Sequence, residues 1–199
     1  MGNFYVNVTL VDVRADEVRR QAPRPSFVAF DGADAVVFAA ADDAGAPVTG
    51  AGLTHALGCA GISIGVHDDD ILFWEVHRQG ETLATGAVPD PAEYFGVDLA
   101  DLDTLDLDGF GGDGEEPDED DDDVDPAADL VAALGRGDVD AVRVALATEQ
   151  VFATDRHVAL VEALRLPRAA VGWGHRYLAA DWADHDLGSR LPGLERLEA

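Results

Sequence analysis

Apolar and polar residues alternate near the N-terminus, which is the pattern of a strand with one buried face. The apolar positions there are Phe4, Val6, Val8 and Leu10. Residues 15–23 then mix apolar and charged positions and stop at Pro23. They predict a short helix, because proline cannot continue one. The chain therefore opens with a strand followed by a helix.

Two strands are predicted next, at residues 26–32 and 34–42, joined by a turn at Asp31-Gly32. This dipeptide is typical of tight turns between antiparallel strands, since both residues tolerate a left-handed backbone. Residues 49–61 are rich in alanine and glycine. They predict a helix whose small side chains allow close packing on a sheet.

The stretch "GISIGVHDDDILFWEVHRQGE", residues 61–81, places three aspartates between two apolar runs. If Asp68 to Asp70 form a three-residue loop, His67 lies opposite Ile71 and every second residue falls on one apolar face. The members of this face are Ile62, Ile64, Val66, Leu72, Trp74 and Val76. A shift of one residue would destroy the match, so the sequence predicts a β-hairpin in this register.

The same loop leaves a second interpretation open. Asp68, Asp69 and Asp70 lie beside His67 and together offer the oxygen and nitrogen ligands of a divalent ion. Adjacent residues rarely converge on one ion, however, because oxygen-rich sites favour spaced ligands. We therefore take the hairpin turn as the main interpretation and keep the three aspartates as candidate metal ligands.

The order strand, helix, strand, strand, helix, strand, strand predicts an α+β domain over residues 1–96. Its sheet should be mostly antiparallel with the helices on one face, close to the ferredoxin-like split β-α-β pattern. A topology of this kind predicts no particular activity.

Residues 127–199 predict a helical C-terminal part that packs on the first domain. Asp125 is placed to cap a helix that has Pro126 in its first turn and ends at Gly135. Asp138 is placed to cap a second helix, which runs to about Ala147.

A third helix is predicted from Thr154, as its cap, to the residues before Pro167. One face of this helix would carry His157, Leu160, Val161 and Leu164 at helical spacing. The stretch after it, residues 169–178, predicts a returning strand.

The net charge of the chain limits which kinds of molecule it can bind. It has 40 acidic residues, 13 arginines and no lysine, and its net charge is −27. This charge excludes binding of nucleic acid through a broad basic face, because the protein would repel the phosphate backbone. Codon use in a GC-rich genome and solubility in a salty cell explain most of such a charge. Recognition of a basic partner is the third explanation.

The acids are concentrated before the helical part. Residues 113–125 carry 10 acids and no arginine, a density that cannot bury a core. We predict that residues 97–126 form an acidic linker or loop that is disordered in part.

The compartment follows from what the sequence lacks. No apolar run approaches the roughly 18 residues needed to cross a bilayer. The N-terminus has no basic stretch of a secretion signal. Cys59 is a single cysteine and cannot form an internal disulfide. These features predict a cytoplasmic protein.

Familiar catalytic and cofactor motifs are absent or badly placed. "GFGGDG" at residues 109–114 matches the dinucleotide pattern of glycines, but the neighbouring acids would repel a phosphate. Cys59 lies four residues after His55, yet its small neighbours predict a buried thiol and not a nucleophile. No cofactor is predicted.

The C-terminal part collects a second set of candidates. Its members are Arg156, His157, Trp173, His175 and Arg176. Such a set could bind an anion between a helix and a loop. Alternatively, the arginines pair with nearby acids and His157 packs on the apolar stripe of its helix. We keep all five as candidate residues for binding a ligand or partner.

Several motifs together resemble an uncharacterised family of bacterial proteins. They are "MGNFYVNVTL", "HDDDILFWEVHRQGE", "YFG" and "DRHVALVEALRLPRAAVGWGHRYL". The resemblance covers about two thirds of the chain. It implies a bacterial cytoplasmic protein, supplies no catalytic residue, and makes the acidic block a variable insertion.

The sequence thus favours a non-catalytic acidic interaction protein that binds a basic protein, in the manner of an inhibitor or immunity protein. The alternative is a small-ligand binder or a hydrolase-like enzyme. That alternative would use the C-terminal histidines and arginines or the loop at Asp68 to Asp70.

Overall fold

One antiparallel sheet organises the protein. The computed structural model describes residues 3–40, 50–91, 94, 125–148, 150, 152–182 and 187–198. The strands of the sheet are β1 Tyr5–Val11, β2 Ser26–Asp31, β3 Asp34–Ala39, β4 Ala60–His67, β5 Ile71–Arg78, β6 Glu81–Val88 and β7 Leu194–Leu197. Their order across the sheet is β6-β5-β4-β1-β3-β2-β7.

Helices lie on both sides of this sheet. They are α1 Ala15–Gln21, α2 Gly50–Leu57, α3 Pro126–Leu134, α4 Val139–Ala147, α5 Ala153–Leu164, α6 His175–Asp181 and α7 Leu187–Arg190, with a 3-10 turn at Arg168–Ala170. No helix among the described residues is long and apolar enough to span a membrane.

The predicted α+β class is confirmed, and the centre of the sheet follows the split β-α-β pattern. Strands β4, β1, β3 and β2 are neighbours in that order, and each pair is antiparallel. Helices α1 and α2 cover one face, where Val18 and Leu53 join a core with Val8 and Leu10. Strands β6 and β7 extend the sheet at its two edges.

The second face carries the larger core. Leu130 of α3, Val142 of α4 and Leu160 of α5 pack there against Ile62 and Ile64 of β4. Strand β4 is consequently buried on both sides. On the opposite face, which α2 covers, β4 carries small residues, because α2 approaches the strand closely there.

The hairpin of β4 and β5 has the predicted register. His67 pairs with Ile71, Ile64 with Trp74, and all six predicted apolar residues belong to the larger core. The hairpin of β2 and β3 is also confirmed, with Asp31 opposite Asp34 and a φ of +60° at Gly32.

The first two helix caps are confirmed. The Asp125 side chain accepts a hydrogen bond from the amide of Ala127, and α3 ends at Gly135 with a φ of +72°. The Asp138 side chain accepts from the amide of Ala141 at the start of α4. Both caps follow from local sequence, since an N-cap residue bonds the amides of its own first turn.

The strand predicted for residues 169–178 is wrong. This stretch forms the 3-10 turn, a glycine-interrupted link and the start of α6. Gly172 has a φ of +76°, and α6 begins directly after Gly174. A short apolar run fits a strand and a buried helix equally well, so periodicity did not separate them.

The predicted division at residues 96 and 127 stays a prediction, although the C-terminal part contributes to the same fold. Strand β7 pairs with β2, and α3 to α6 pack on the sheet. The acidic linker predicted for residues 97–126 lies outside the described residues, apart from Asp125 and Pro126.

Gly86 of β6 is expected to tolerate no side chain. A Cβ atom there would lie 2.3 Å from Cζ2 and 2.7 Å from Cε2 of Trp74, whose side chain is buried in the core. Overpacking of this kind costs about 1 to 3 kcal/mol. We expect Gly86→Ala to lower the free energy of unfolding by about 2 kcal/mol in a urea titration. The same change made together with Trp74→Leu should cost much less. Equal costs in both backgrounds would contradict the contact.

Candidate functional site

The three aspartates of the hairpin loop form a turn with a specific tertiary role. Asp68 and Asp69 have φ values of 51° and 64°, a left-handed backbone that aspartate tolerates better than most residues. Asp70 donates its amide to the carbonyl of His67 at 3.0 Å and closes the turn. The turn therefore holds Asp69 in place between the two strands.

Asp69 caps helix α5 from outside its own sequence. Its Oδ1 accepts from the amide of Thr154 at 3.0 Å and from the Thr154 hydroxyl at 2.5 Å. Its carbonyl accepts from the amide of Ala153 at 2.7 Å. These bonds satisfy amides that the first turn of a helix leaves without partners. The carboxylate also lies at the positive end of the helix dipole.

The prediction that Thr154 caps this helix is therefore wrong. The N-cap position is Phe152, which makes no side-chain cap hydrogen bond. Thr154 is the second residue of the helix, and its hydroxyl bonds the carboxylate of Asp69. The prediction looked for a capping side chain close to the helix in sequence, whereas the side chain that caps α5 is Asp69 of the hairpin loop.

Two of the three candidate metal ligands, Asp69 and Asp70, use their carboxylates in hydrogen bonds with different partners. Asp69 is occupied at Oδ1 by Thr154, and its Oδ2 accepts from Asn3 at 3.3 Å. Asp70 accepts from the Tyr94 hydroxyl at 2.8 Å, which raises the pKa of Tyr94. Among the residues that the structure describes, no group of three or more His, Cys, Asp or Glu side chains could hold a metal ion.

His157 lies fully buried beside Tyr5 of the central strand. The two rings are stacked at 5.8 Å, and Nδ1 of His157 lies 2.8 Å from the Tyr5 hydroxyl. Its Nε2 has no hydrogen-bond partner in the described part of the chain. Burial lowers the pKa of His157 to about 3, and burial raises the pKa of Tyr5 to about 12. Both side chains are therefore neutral at pH 7.

Arg156 is buried and bonds backbone carbonyls. Its Nη1 donates to the carbonyl of Val88 at 3.2 Å and its Nη2 to the carbonyl of Thr148 at 3.1 Å. Thr148 follows the last residue of α4, where the helix dipole favours a cation. Desolvation lowers the pKa of this guanidinium. Arg156 thus joins β6, α4 and α5.

The remaining three candidates lie around α6. Trp173 is half-buried, and its carbonyl accepts from Asn7 at 3.1 Å. His175 is half-buried with its ring 5.3 Å from that of Phe27, and burial lowers its pKa. Arg176 is exposed, with its guanidinium 5.8 Å from the Tyr177 ring. A binding role for the five residues stays a prediction.

A polar cluster on the opposite face was not predicted. Ser63 Oγ lies 3.5 Å and Glu75 Oε2 lies 3.3 Å from Nε2 of His77, and Thr82 Oγ1 lies 3.1 Å from its Nδ1. The predicted hairpin register contained the signal, since Ser63, Glu75 and His77 fall on one face of that register.

This cluster differs from a catalytic triad. In a triad the carboxylate holds the histidine nitrogen that faces away from the serine, whereas here both Ser63 and Glu75 approach Nε2. Gly50 of α2 also covers the hydroxyl, because a Cβ there would lie 2.4 Å from Ser63 Oγ. The arrangement gives the buried polar groups under α2 hydrogen-bond partners within the fold.

Cys59 has the properties of an inactive thiol. It is half-buried, and burial raises its pKa to about 11. A nucleophilic cysteine needs a thiolate near neutral pH. The Nδ1 atom of His55, four residues earlier in the chain, lies 3.2 Å from the carbonyl oxygen of Gln79.

The charge of the described residues is far more balanced than that of the whole chain. They contain all 13 arginines and 20 of the 40 acids, a net charge of −7. Seven arginines form ion pairs with carboxylates: Arg14, Arg19, Arg20, Arg136, Arg143, Arg168 and Arg196. The other 20 acids lie in segments without a single arginine, and 14 of them are in residues 95–124.

Comparisons with protein-family models, with curated proteins and with solved structures found no match for this chain. The resemblance to a bacterial family therefore stays a prediction.

Proposed function

We propose that the protein is a non-catalytic interaction protein that binds a basic protein through its acidic segment, defined as residues 95–124. The observation that carries this proposal is the uneven distribution of charge. The acidic segment has 14 acids and no arginine, while the described residues pair most of their arginines with carboxylates. Inhibition or neutralisation of a basic partner fits this chemistry.

Fixed points on the fold flank the acidic segment. On one side, the Tyr94 hydroxyl donates to Asp70 at 2.8 Å. On the other side, Asp125 caps α3 and pairs with Arg143 at 2.6 Å. The acidic segment is therefore joined at each end to a residue that bonds the described fold. Complementary charge then speeds encounter with a basic partner and suppresses wrong partners.

The ligand-binding alternative has less support. Asp69, Arg156 and His157 use their polar atoms to join α5 to the sheet and to α4. They serve the fold, so a ligand site would rest on Trp173, His175 and Arg176 alone.

The proposal predicts that charge, and not the order of residues, governs binding. In one variant, the nine acids of residues 113–123 become the corresponding amides. In a matched control, the same 11 residues keep their composition in a permuted order. We expect the amide variant to bind a basic protein from the source cell extract at least about tenfold more weakly, and the permuted variant to bind as the parent does.

Calorimetry over a range of ionic strength provides the measurement. Affinity of the parent should fall steeply as salt shortens the screening length, and the amide variant should respond less. Equal affinity of parent and amide variant at low salt would overturn the proposal. If instead the parent unfolds at low salt and is stabilised by high salt, while the amide variant is not, the acidity serves solubility in a salty cell.

A further inference from the structure

Strand β6 is an edge of the sheet that the described residues form. It has eight residues and pairs only with β5 among the described residues, and its first three residues are exposed. The opposite edge strand, β7, has only four residues, and its Glu195 is held by Arg19 at 2.6 Å. A long edge strand offers a row of unpaired amides and carbonyls to another chain. Strand β6 is therefore the edge that can accept a further strand.

A cleft runs along this edge beside α3. Its volume is about 340 Å³, with Trp74 and Ala84 beneath it and Pro126 of α3 beside it. The Trp74 indole occupies the space beside Gly86. No side chain therefore projects from β6 at this position. Leu83 lines the cleft and is 41% exposed. These features provide an apolar floor for the side chains of an added strand.

The charge of the cleft specifies the occupant. Asp129 lines it and Glu81 lies at the start of β6, and both are exposed. Neither forms an ion pair with any described residue, and no arginine lines the cleft. The acidic segment also ends immediately before Asp125 and Pro126, at the same cleft. A second copy of this chain, with its net charge of −27, would be repelled.

We infer that an extended segment of a basic protein adds to β6 as a further antiparallel or parallel strand, with apolar side chains in the cleft and arginine or lysine beside Glu81 and Asp129. This mode of recognition uses backbone hydrogen bonds for affinity and alternate side chains for specificity. The inference rests on the proposed function and gives the basic partner its docking surface.

The test uses the full chain and two synthetic peptides. The first peptide alternates arginine and valine over about ten residues, the length of a long strand. The second has the same sequence and charge, but the backbone nitrogens of its central residues are methylated, so it cannot donate the amides of a hydrogen-bond ladder. Binding is measured by calorimetry, and amide hydrogen exchange is followed residue by residue.

Strand addition predicts a specific exchange pattern. Alternate amides of β6 between Ala84 and Val88 should gain at least about tenfold protection with the first peptide, while β7 should gain none. Leu83→Arg should weaken binding of that peptide about tenfold, because it places a positive charge at the edge. Val144→Arg, the matched control, places the same charge on an exposed residue of α4 outside the cleft and should change binding less than about threefold.

The outcomes separate this inference from the proposed function. Salt-dependent binding of both peptides without protection of β6 would overturn strand addition and leave the acidic segment as the binding element. Failure of the arginine-valine peptide to bind at low salt also overturns strand addition, while the amide variant tests the proposed function separately. Protection of β6 without peptide, rising with protein concentration, would identify a second copy as the occupant and overturn the basic partner.

Discussion

Replacing Asp69 with glycine is expected to lower the free energy of unfolding by about 2 to 3 kcal/mol. The change removes the carboxylate that accepts from the amide and hydroxyl of Thr154. The first turn of α5 then loses its cap, and a polar contact between the hairpin loop and the helix is lost. Glycine adopts the left-handed backbone of position 69 without strain, so the loss reports the side chain. Urea unfolding monitored by circular dichroism measures it.

Asp68 provides the matched control for this prediction. It shares the left-handed backbone, but it is exposed and forms no hydrogen bond or ion pair with α5. Asp68→Gly should therefore stay within about 0.5 kcal/mol of the parent. Asp69→Asn keeps an acceptor oxygen and should fall between the parent and Asp69→Gly. Equal losses for the two glycine variants would mean that the turn itself, and not the cap, matters.

The fold was predictable where local sequence and the global structure agree. The register of the β4–β5 hairpin follows from the alternation around Asp68 to Asp70, and the observed pairing of Ile64 with Trp74 has that register. The caps of α3 and α4 also follow from local sequence, since Asp125 and Asp138 bond amides only two or three residues away. A residue pattern suffices when the partners are close in the chain.

The candidate site was less predictable because its contacts are distant in sequence. Asp69 and Thr154 are 85 residues apart, and Tyr5 and His157 are 152 residues apart. The pattern of apolar and polar residues within one segment cannot predict a contact between residues so far apart in the chain. The sequence predicted Asp69 in a hairpin turn, with a metal site as the second interpretation, and left His157 open between packing in the core and binding a ligand. The structure gives both of them partners within the fold, around the start of α5.

Edge strand β6 shows a different limit. Its sequence, "ETLATGAV", has little apolar alternation. Among the described residues β6 pairs only with β5, and the space beside Gly86 is filled by the indole of Trp74. Partial burial weakens the pattern on which strand prediction depends. Strand β7 is too short for a pattern of its own. Both edges therefore became visible only once the sheet was assembled.

Acidification is expected to destabilise the protein through His157. Its pKa is about 3 in the folded protein because it is buried, and about 6.5 in the unfolded chain. His157 therefore takes up a proton below about pH 6.5 in the unfolded chain, but only below about pH 3 in the folded protein. This contribution to stability is complete above pH 6.5 and is lost as the pH falls, at about 1.4 kcal/mol per pH unit. By pH 4.5 the loss should reach about 3 kcal/mol.

His157→Asn isolates this effect from the titration of the carboxylates. The Oδ1 atom of asparagine can occupy the place of Nδ1 beside the Tyr5 hydroxyl, but the side chain takes up no proton. The free energy of unfolding of this variant should fall less steeply between pH 6.5 and 4.5 than that of the parent. His55→Asn, which removes an exposed histidine, should follow the slope of the parent. Parallel curves for the parent and His157→Asn would mean that the folded protein accepts the proton, and that Nε2 finds an acceptor when it does.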